Sequence, residues 1–229
     1  MRTPEKAGNG KAKIVIVDDH PIVRRGIFLL VEQEKDMQIV GEADDAAEAM
    51  FLIEKVKPDL VLIDISLRGI SGIELTRNIL GKYPKMLVLV ISMHDESVYL
   101  ERSLRAGAKG YIMKQETPDY IIAAIRKVLK GEIYVSEKMK ESVMDRFVHG
   151  KKAADGVSVG SLSDREAEVL GLIGQGYTTN RIASELYVSV KTIESHYANI
   201  KSKLGLNNSH ELIQYAVKWC FSEIDRGNP

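Results

Sequence analysis

Four stretches of the chain are apolar without interruption and then stop on a residue that carries chemistry. Ile14-Val15-Ile16-Val17 runs into Asp18-Asp19, and Leu60-Val61-Leu62-Ile63 runs into Asp64. Val88-Leu89-Val90-Ile91 ends on Ser92, and Gly110-Tyr111-Ile112-Met113 ends on Lys114. Runs this short, with no polar alternation, fit parallel strands buried on both faces. The strands expected are Lys13–Val17, Met37–Glu42, Leu60–Ile63, Met86–Ile91 and Lys109–Met113. Between and after them, helical periodicity covers His20–Gln33, Asp45–Val56, Ser71–Gly81, Asp95–Ala106 and Thr117–Leu129. Five strand–helix units in succession predict an α/β domain with a doubly wound, five-stranded parallel sheet. Thr117-Pro118 reads as an N-cap followed by proline at the first helical position, and Gly131 as the stop.

The pattern changes after residue 131. A short helix is expected over Ser136–Phe147, and His149 to Gly160, rich in small and polar residues, reads as a flexible linker. Beyond it the strand signal vanishes. Ser163 and Glu166 form a capping box ahead of Ala167, Val169, Leu170, Leu172 and Ile173, with Gly174 and Gly176 ending that helix. Further helices are expected at Thr179–Leu186, Val190–Leu204 and Ser209–Trp219. The chain thus divides into a disordered arm (1–12), an α/β domain (13–131), a helix and linker (132–160), a small all-α domain (161–221) and a tail (222–229).

Composition narrows the class without naming it. The chain has 229 residues, one cysteine (Cys220) and a net charge of zero. A lone cysteine makes no internal disulfide, which suits a reducing cytoplasm. The polar start, Met1 to Lys13, reads neither as a signal peptide nor as a membrane anchor, and no apolar stretch approaches the roughly 20 residues a spanning helix needs. From Gly156 onward seven Lys/Arg face eight Asp/Glu, so any DNA binding must rest on local arrangement rather than on total charge.

In open α/β sheets the site lies outside the carboxyl ends of the strands. Asp18, Asp19, Asp64, Ser92 and Lys114 would converge there. Three carboxylates and an ammonium suit a hard cation and a phosphoryl group: Asp18, Asp19 and Asp64 would hold one Mg²⁺, and Asp64 would attack phosphorus. The metal and Lys114 would balance charge on the transferring oxygens, Ser92 could donate to one of them, and Tyr111 is a candidate moving part.

With Met93-His94-Asp95 and Gly107-Ala108-Lys109-Gly110-Tyr111, this constellation resembles the flavodoxin-like receiver domain of two-component response regulators, over about Lys13 to Gly131. The resemblance implies transfer of a phosphoryl group from a sensor histidine kinase to Asp64. It implies Asp19 and Asp64 as metal ligands, helped by Asp18 through water and by the carbonyl of Ser66, and Ser92 and Tyr111 as coupled switch residues. It also implies that the positions of Ser66 and His94 affect the rate of phosphate loss. One departure is visible: where the family usually has Met-Pro or Leu-Pro after the acceptor, this chain reads Leu67-Arg68-Gly69.

In the C-terminal domain, Ile182, Ala183, Leu186, Val188 and Ile193 are spaced as the buried set of a helix-turn-helix, although Tyr187 stands where many such turns carry glycine. Ser189 is a good N-cap. Ile193, Tyr197, Ile200 and Leu204 then form a buried stripe. The opposite face would enter the DNA major groove. Lys191, Thr192, Lys201 and Lys203 would contact phosphates, and Glu194, Ser195 and Ala198 would meet base edges. Leu162-Ser163-Asp164-Arg165-Glu166, Ser189-Val190-Lys191-Thr192-Ile193-Glu194-Ser195-His196 and Lys203-Leu204 resemble the LuxR-type DNA-binding domain, over about Ser161 to Trp219. A receiver joined to such a domain is similar to the NarL/FixJ family of response regulators. That resemblance implies DNA binding as a homodimer, with the last helix as a dimer contact whose apolar side is Leu212, Ile213, Ala216 and Val217.

The reading is a cytoplasmic, non-enzymatic transcription regulator of a two-component system. Two alternatives remain open on sequence alone: an aspartate-nucleophile phosphatase or phosphotransferase, and a DNA-binding protein governed by dimerisation or a partner without phosphorylation. Against the first, the chain offers no substrate cap and no nucleotide-binding glycine pattern.

Overall fold

The computed structural model describes residues 10–94, 96–137, 139–141 and 161–224. The N-terminal arm, the expected linker and the tail lie mostly or wholly outside them. Of the helix expected over Ser136–Phe147, helical backbone is described at 137 and 139–141.

The N-terminal half follows the order β1 (Ala12–Val17), α1 (Pro21–Glu32), β2 (Met37–Ala43), α2 (Ala46–Val56), β3 (Leu60–Ile63), α3 (Gly72–Lys82), β4 (Leu87–Ser92), α4 (Glu96–Arg105), β5 (Tyr111–Met113) and α5 (Pro118–Leu129). The strands form one parallel sheet in the order β2-β1-β3-β4-β5, the flavodoxin-like arrangement. Side chains along each strand alternate between two cores. Val15, Val17, Val61, Ile63, Val88 and Val90 face α2, α3 and α4, packing with Ile53, Ile73, Ile79 and Tyr99. Ile14, Ile16, Leu60, Leu62, Leu89 and Ile91 face α1 and α5, packing with Ile27, Val31, Ile121 and Ile125. Both faces are covered, which is why the strands read as continuous apolar runs. Each such side chain contributes about 1.5–3 kcal/mol through burial.

Local chemistry sets the helix ends. Asp45 accepts from the Glu48 amide, and Ser71 from the Ile73 amide. Thr117 precedes Pro118 as expected, yet its side chain makes no capping hydrogen bond. Gly131 adopts φ 82°, past the end of α5.

The C-terminal domain contains α6 (Asp164–Gly174), α7 (Thr179–Glu185), α8 (Val190–Leu204) and α9 (Ser209–Ile224). Both halves of the Ser163–Glu166 capping box are present, and Ser189 caps α8 by accepting from the Thr192 amide. The helix-turn-helix set packs around Leu170, Ile182, Ile193, Ile200 and Leu212. Gly174 lies so close to Ala216 that a Cβ would stand 2.5 Å from its carbonyl oxygen, which fixes how tightly α9 crosses α6. The last helix runs beyond the expected end at Trp219, to Ile224. Among the described residues no helix is long and apolar enough to cross a membrane.

Candidate functional site

The sheet brings the strand-end residues to one pocket. Asp18 and Asp19 follow β1, Asp64 follows β3, Ser92 is the last residue of β4, and Lys114 follows β5. Backbone pairing continues one step past the strands: the Asp64 amide donates to the Val17 carbonyl at 2.8 Å, and the Lys114 amide to the Ser92 carbonyl at 2.8 Å. The loop after Asp64 turns back so tightly that the Gly72 amide donates to the Ile65 carbonyl at 2.7 Å. A Cβ on Gly72 would lie 1.8 Å from the Asp64 carbonyl oxygen, so only glycine fits. Where the family's usual proline is missing, Gly69 takes φ 86° and Leu67 is buried.

Lys114 Nζ sits between two carboxylates, 2.6 Å from Asp18 Oδ2 and 2.8 Å from Asp64 Oδ2, with its side chain 4% exposed. Asp18, Asp19 and Asp64 are buried. His20 adds a fourth group: its amide donates to Asp18 Oδ1 at 2.8 Å, and its Nδ1 lies 2.7 Å from Asp19 Oδ1. Arg24 donates to the Asp18 carbonyl. Asp19 is the least satisfied member. Neither of its oxygens makes a well-directed hydrogen bond, and Arg68 Nε is 4.0 Å from Oδ2.

Burial pushes the Asp64 carboxyl up to about 7, with Asp18 and Asp19 adding to the rise and Lys114 opposing it. Burial likewise raises Asp19. Burial works against the charge on Lys114, but Asp64 and Asp18 outweigh it and hold its pKa above the ordinary lysine value. One atom each from Asp18, Asp19, His20 and Asp64 lies within 4.8 Å of the others. An oxygen-rich set with excess negative charge and a buried carboxylate whose oxygens lack a hydrogen bond fits a hard divalent cation.

The two residues expected to switch are both buried. The Tyr111 hydroxyl donates to the His94 carbonyl at 2.7 Å, and the His94 amide donates to Ser92 Oγ at 3.2 Å. Burial raises the Tyr111 pKa well above that of a free tyrosine, so it acts as a neutral donor. Ser66 Oγ is 2.8 Å from His94 Nε2.

On α8, Lys191, Glu194, Ser195 and Ala198 are exposed and Thr192 and Lys201 half-exposed, whereas Ile193, Ile200 and Leu204 are buried and Tyr197 half-buried. Lys203, expected on phosphate, pairs with Glu166 of the capping box at 2.6 Å. In α9, Leu212 and Ala216 belong to the domain core, while Ile213 is 50% exposed.

Sequence reasoning missed His20, Glu168 and the partner of Arg68. The signal for His20 was its place beside the acidic pair. Glu168 gave none: it is fully buried and accepts from Ser66 Oγ, 102 residues away in sequence, at 2.7 Å. Arg68 stacks over the Tyr187 ring at 4.6 Å, so the loop that departs from the receiver pattern meets the residue that replaces the common turn glycine of the helix-turn-helix.

Comparison with known proteins accounts for both halves. Residues 14–126 match the response regulator receiver domain, and residues 160–216 match the bacterial regulatory proteins of the luxR family. Over 212 residues the chain is 41% identical to the oxygen regulatory protein NreC of Staphylococcus aureus (strain MRSA252), covering 90% of this chain and 97% of that protein. RcsB of Salmonella enterica serovar Typhimurium, solved on the promoter rprA with the phosphomimetic BeF3⁻, is 27% identical over 91% of this chain and 99% of its own, with a TM-score of 0.60. A LuxR-family two-component response regulator from Aurantimonas sp. SI85-9A1 is 36% identical, covers 61% of this chain and 99% of its own, and gives a TM-score of 0.57.

Proposed function

This chain belongs to the response regulators that join a receiver to a LuxR-type DNA-binding domain, and from that premise we propose that Asp64 accepts a phosphoryl group from a sensor histidine kinase and thereby controls promoter binding. The observation that carries the assignment is the Lys114 ammonium held between the Asp18 and Asp64 carboxylates beside an unsatisfied Asp19.

Asp18, Asp19, Asp64 and the Ser66 carbonyl are the groups that would hold Mg²⁺, which supplies positive charge against the transferring phosphoryl oxygens when bound. The residues do the rest. Burial raises the Asp64 pKa in the metal-free pocket, and a bound cation together with Lys114 would favour the ionised carboxylate that acts as nucleophile. A carboxylate oxygen attacks phosphorus as the bond from phosphorus to the donor's imidazole nitrogen breaks, and the imidazole leaves with its electron pair. Lys114 then exchanges a carboxylate contact for a phosphoryl oxygen. The Ser92 hydroxyl donates to another, and Tyr111 responds through His94, whose carbonyl it already holds.

In the DNA-binding domain, Lys191, Thr192 and Lys201 contact phosphates, while Glu194, Ser195 and Ala198 face the bases. Lys203 reaches phosphate only by releasing Glu166. Ile213, exposed on α9, and half-buried Val217 are the apolar positions left for a second copy, so the DNA-bound form is a homodimer reading two half-sites. The protein acts in the cytoplasm, where its DNA and kinase partners meet it.

The test is to mix the protein with Mg²⁺ and acetyl phosphate and follow intact mass and DNA binding, with Asp64→Asn alongside. One added phosphoryl group, absent from the variant and accompanied by tighter DNA binding, is the expected result. No mass gain under conditions that label a known receiver would overturn the acceptor assignment. Steady turnover of a small phosphomonoester would instead favour a phosphatase.

A further inference from the structure

The DNA-binding domain reaches the receiver at a chemically pointed place. Ser66, two residues past Asp64, donates its hydroxyl proton to Glu168 Oε1 of α6 at 2.7 Å and touches His94 Nε2 at 2.8 Å. The other Glu168 oxygen accepts from Arg165 at 2.8 Å, so the carboxylate is held from its own helix and aimed at the receiver. His94 is gripped from behind by Tyr111 on its carbonyl and by Ser92 on its amide. Hydrogen bonds therefore run without a break from the two buried switch residues through His94 and Ser66 to a carboxylate on the other domain.

Other contacts fix this docking. Arg77 and Arg102 both bind Asp164 at the start of α6, at 2.5 and 3.3 Å, and the Tyr99 hydroxyl lies 3.4 Å from the Ala167 carbonyl. From the acceptor loop itself, Arg68 stacks on Tyr187 of the helix-turn-helix. The contact leaves the recognition face open: Lys191, Glu194, Ser195 and Ala198 are exposed while the domains are docked. What docking does reach is the loop that carries the acceptor.

We infer that Glu168 is a positioning residue of the phosphorylation site: through Ser66 it holds the acceptor loop and His94 in one arrangement, so that the docked DNA-binding domain slows phosphoryl transfer to Asp64. The reasoning rests on Asp64 being the acceptor. A phosphoryl group brings new negative charge beside a loop already bound to a buried carboxylate, and like charges at close quarters repel. The loop must let go of Glu168 to reorganise, and by linkage whatever favours phosphorylation also weakens docking.

The test is a double-mutant cycle in the full-length protein, using Ser66→Ala and Glu168→Ala with their combination, read twice. Thermal unfolding without phosphodonor reads the contact. The initial rate of single-phosphoryl mass gain with acetyl phosphate and Mg²⁺ reads its effect, with Asp64→Asn as the zero. Each single variant is expected to label about tenfold faster than the parent, equivalent to about 1.4 kcal/mol, and the double variant no faster than either. Tyr187→Ala, which loosens docking while touching neither Ser66 nor Glu168, is expected to give a smaller rise. A glutamate that merely stabilised α6 would leave the labelling rate of a receiver residue unmoved. Unchanged or additive rates in proteins that do label overturn the inference and leave the acceptor assignment standing. Absence of label in every protein, with the coupling still visible in unfolding, overturns both and traces the failure to Asp64.

Discussion

The acidic pocket at the strand ends and the exposed face of α8 carry similar residue types and hold them in opposite ways. In the pocket, Asp18, Asp64 and Lys114 are withdrawn from water and fix one another at 2.6 to 2.8 Å. On α8, Lys191, Glu194 and Ser195 stand in solvent. A charge kept in water costs little to hold, which suits contact with a long polyanion. A charge taken out of water is expensive unless paired, but it responds strongly to one added ion or phosphoryl group. The pocket is therefore sensitive to any change in its charge balance, whereas the exposed face of α8 is not.

That contrast can be broken at several places. The largest effect is expected from Gly72→Ala, whose methyl group would meet the Asp64 carbonyl: about 3 kcal/mol or more of stability lost by denaturant unfolding, together with phosphorylation. Lys114→Ala leaves two buried carboxylates facing each other and should cost about 3 kcal/mol in EDTA-treated protein, with added Mg²⁺ restoring part of it. If the loss is under about 1 kcal/mol, the pocket behaves as a solvated surface and the contrast fails.

Asp64→Asn should do the reverse and stabilise the metal-free protein. The folded-state pKa of Asp64 is raised to about 7 from 3.8, so the native state binds the proton more tightly than the unfolded chain does. Stability from this group is present below about pH 4 and is lost as pH rises towards 7. The gain from the asparagine should therefore grow across that window and level off above it, in melts at stepped pH.

Smaller effects belong to the helices. Lys191→Ala should leave unfolding unchanged, weaken DNA binding about equally across sequences, and lower the salt slope by about one. Lys203→Ala sharpens the comparison, because that lysine is tied to Glu166. Burial opposes the Glu166 charge, but the Lys203 and Ser163 hydrogen bonds outweigh it and hold its pKa below the ordinary value. The contribution, about 0.5 kcal/mol for a lysine this exposed, is present above the unfolded pKa of glutamate and fades as pH falls through the lower folded one. A Lys203→Ala protein as stable as its parent at pH 7 would return that residue to the solvent-facing group.

The sequence alone determined the elements and the address of the site. Buried strands announced themselves because both faces of the sheet are covered, and the caps at Ser71, Ser163 and Ser189 work within one helical turn, where sequence distance and spatial distance agree. The strand-end residues followed from topology, since parallel strands all deliver their carboxyl ends to one edge. The tertiary structure decided everything that pairs distant residues: Lys114 between Asp18 and Asp64, Arg126 of α5 reaching back to Asp36, Arg68 on Tyr187, and Ser66 on Glu168. Periodicity and capping are local properties of the chain. Which carboxylate meets which donor across two domains depends on how the helices pack, and no local pattern encodes that.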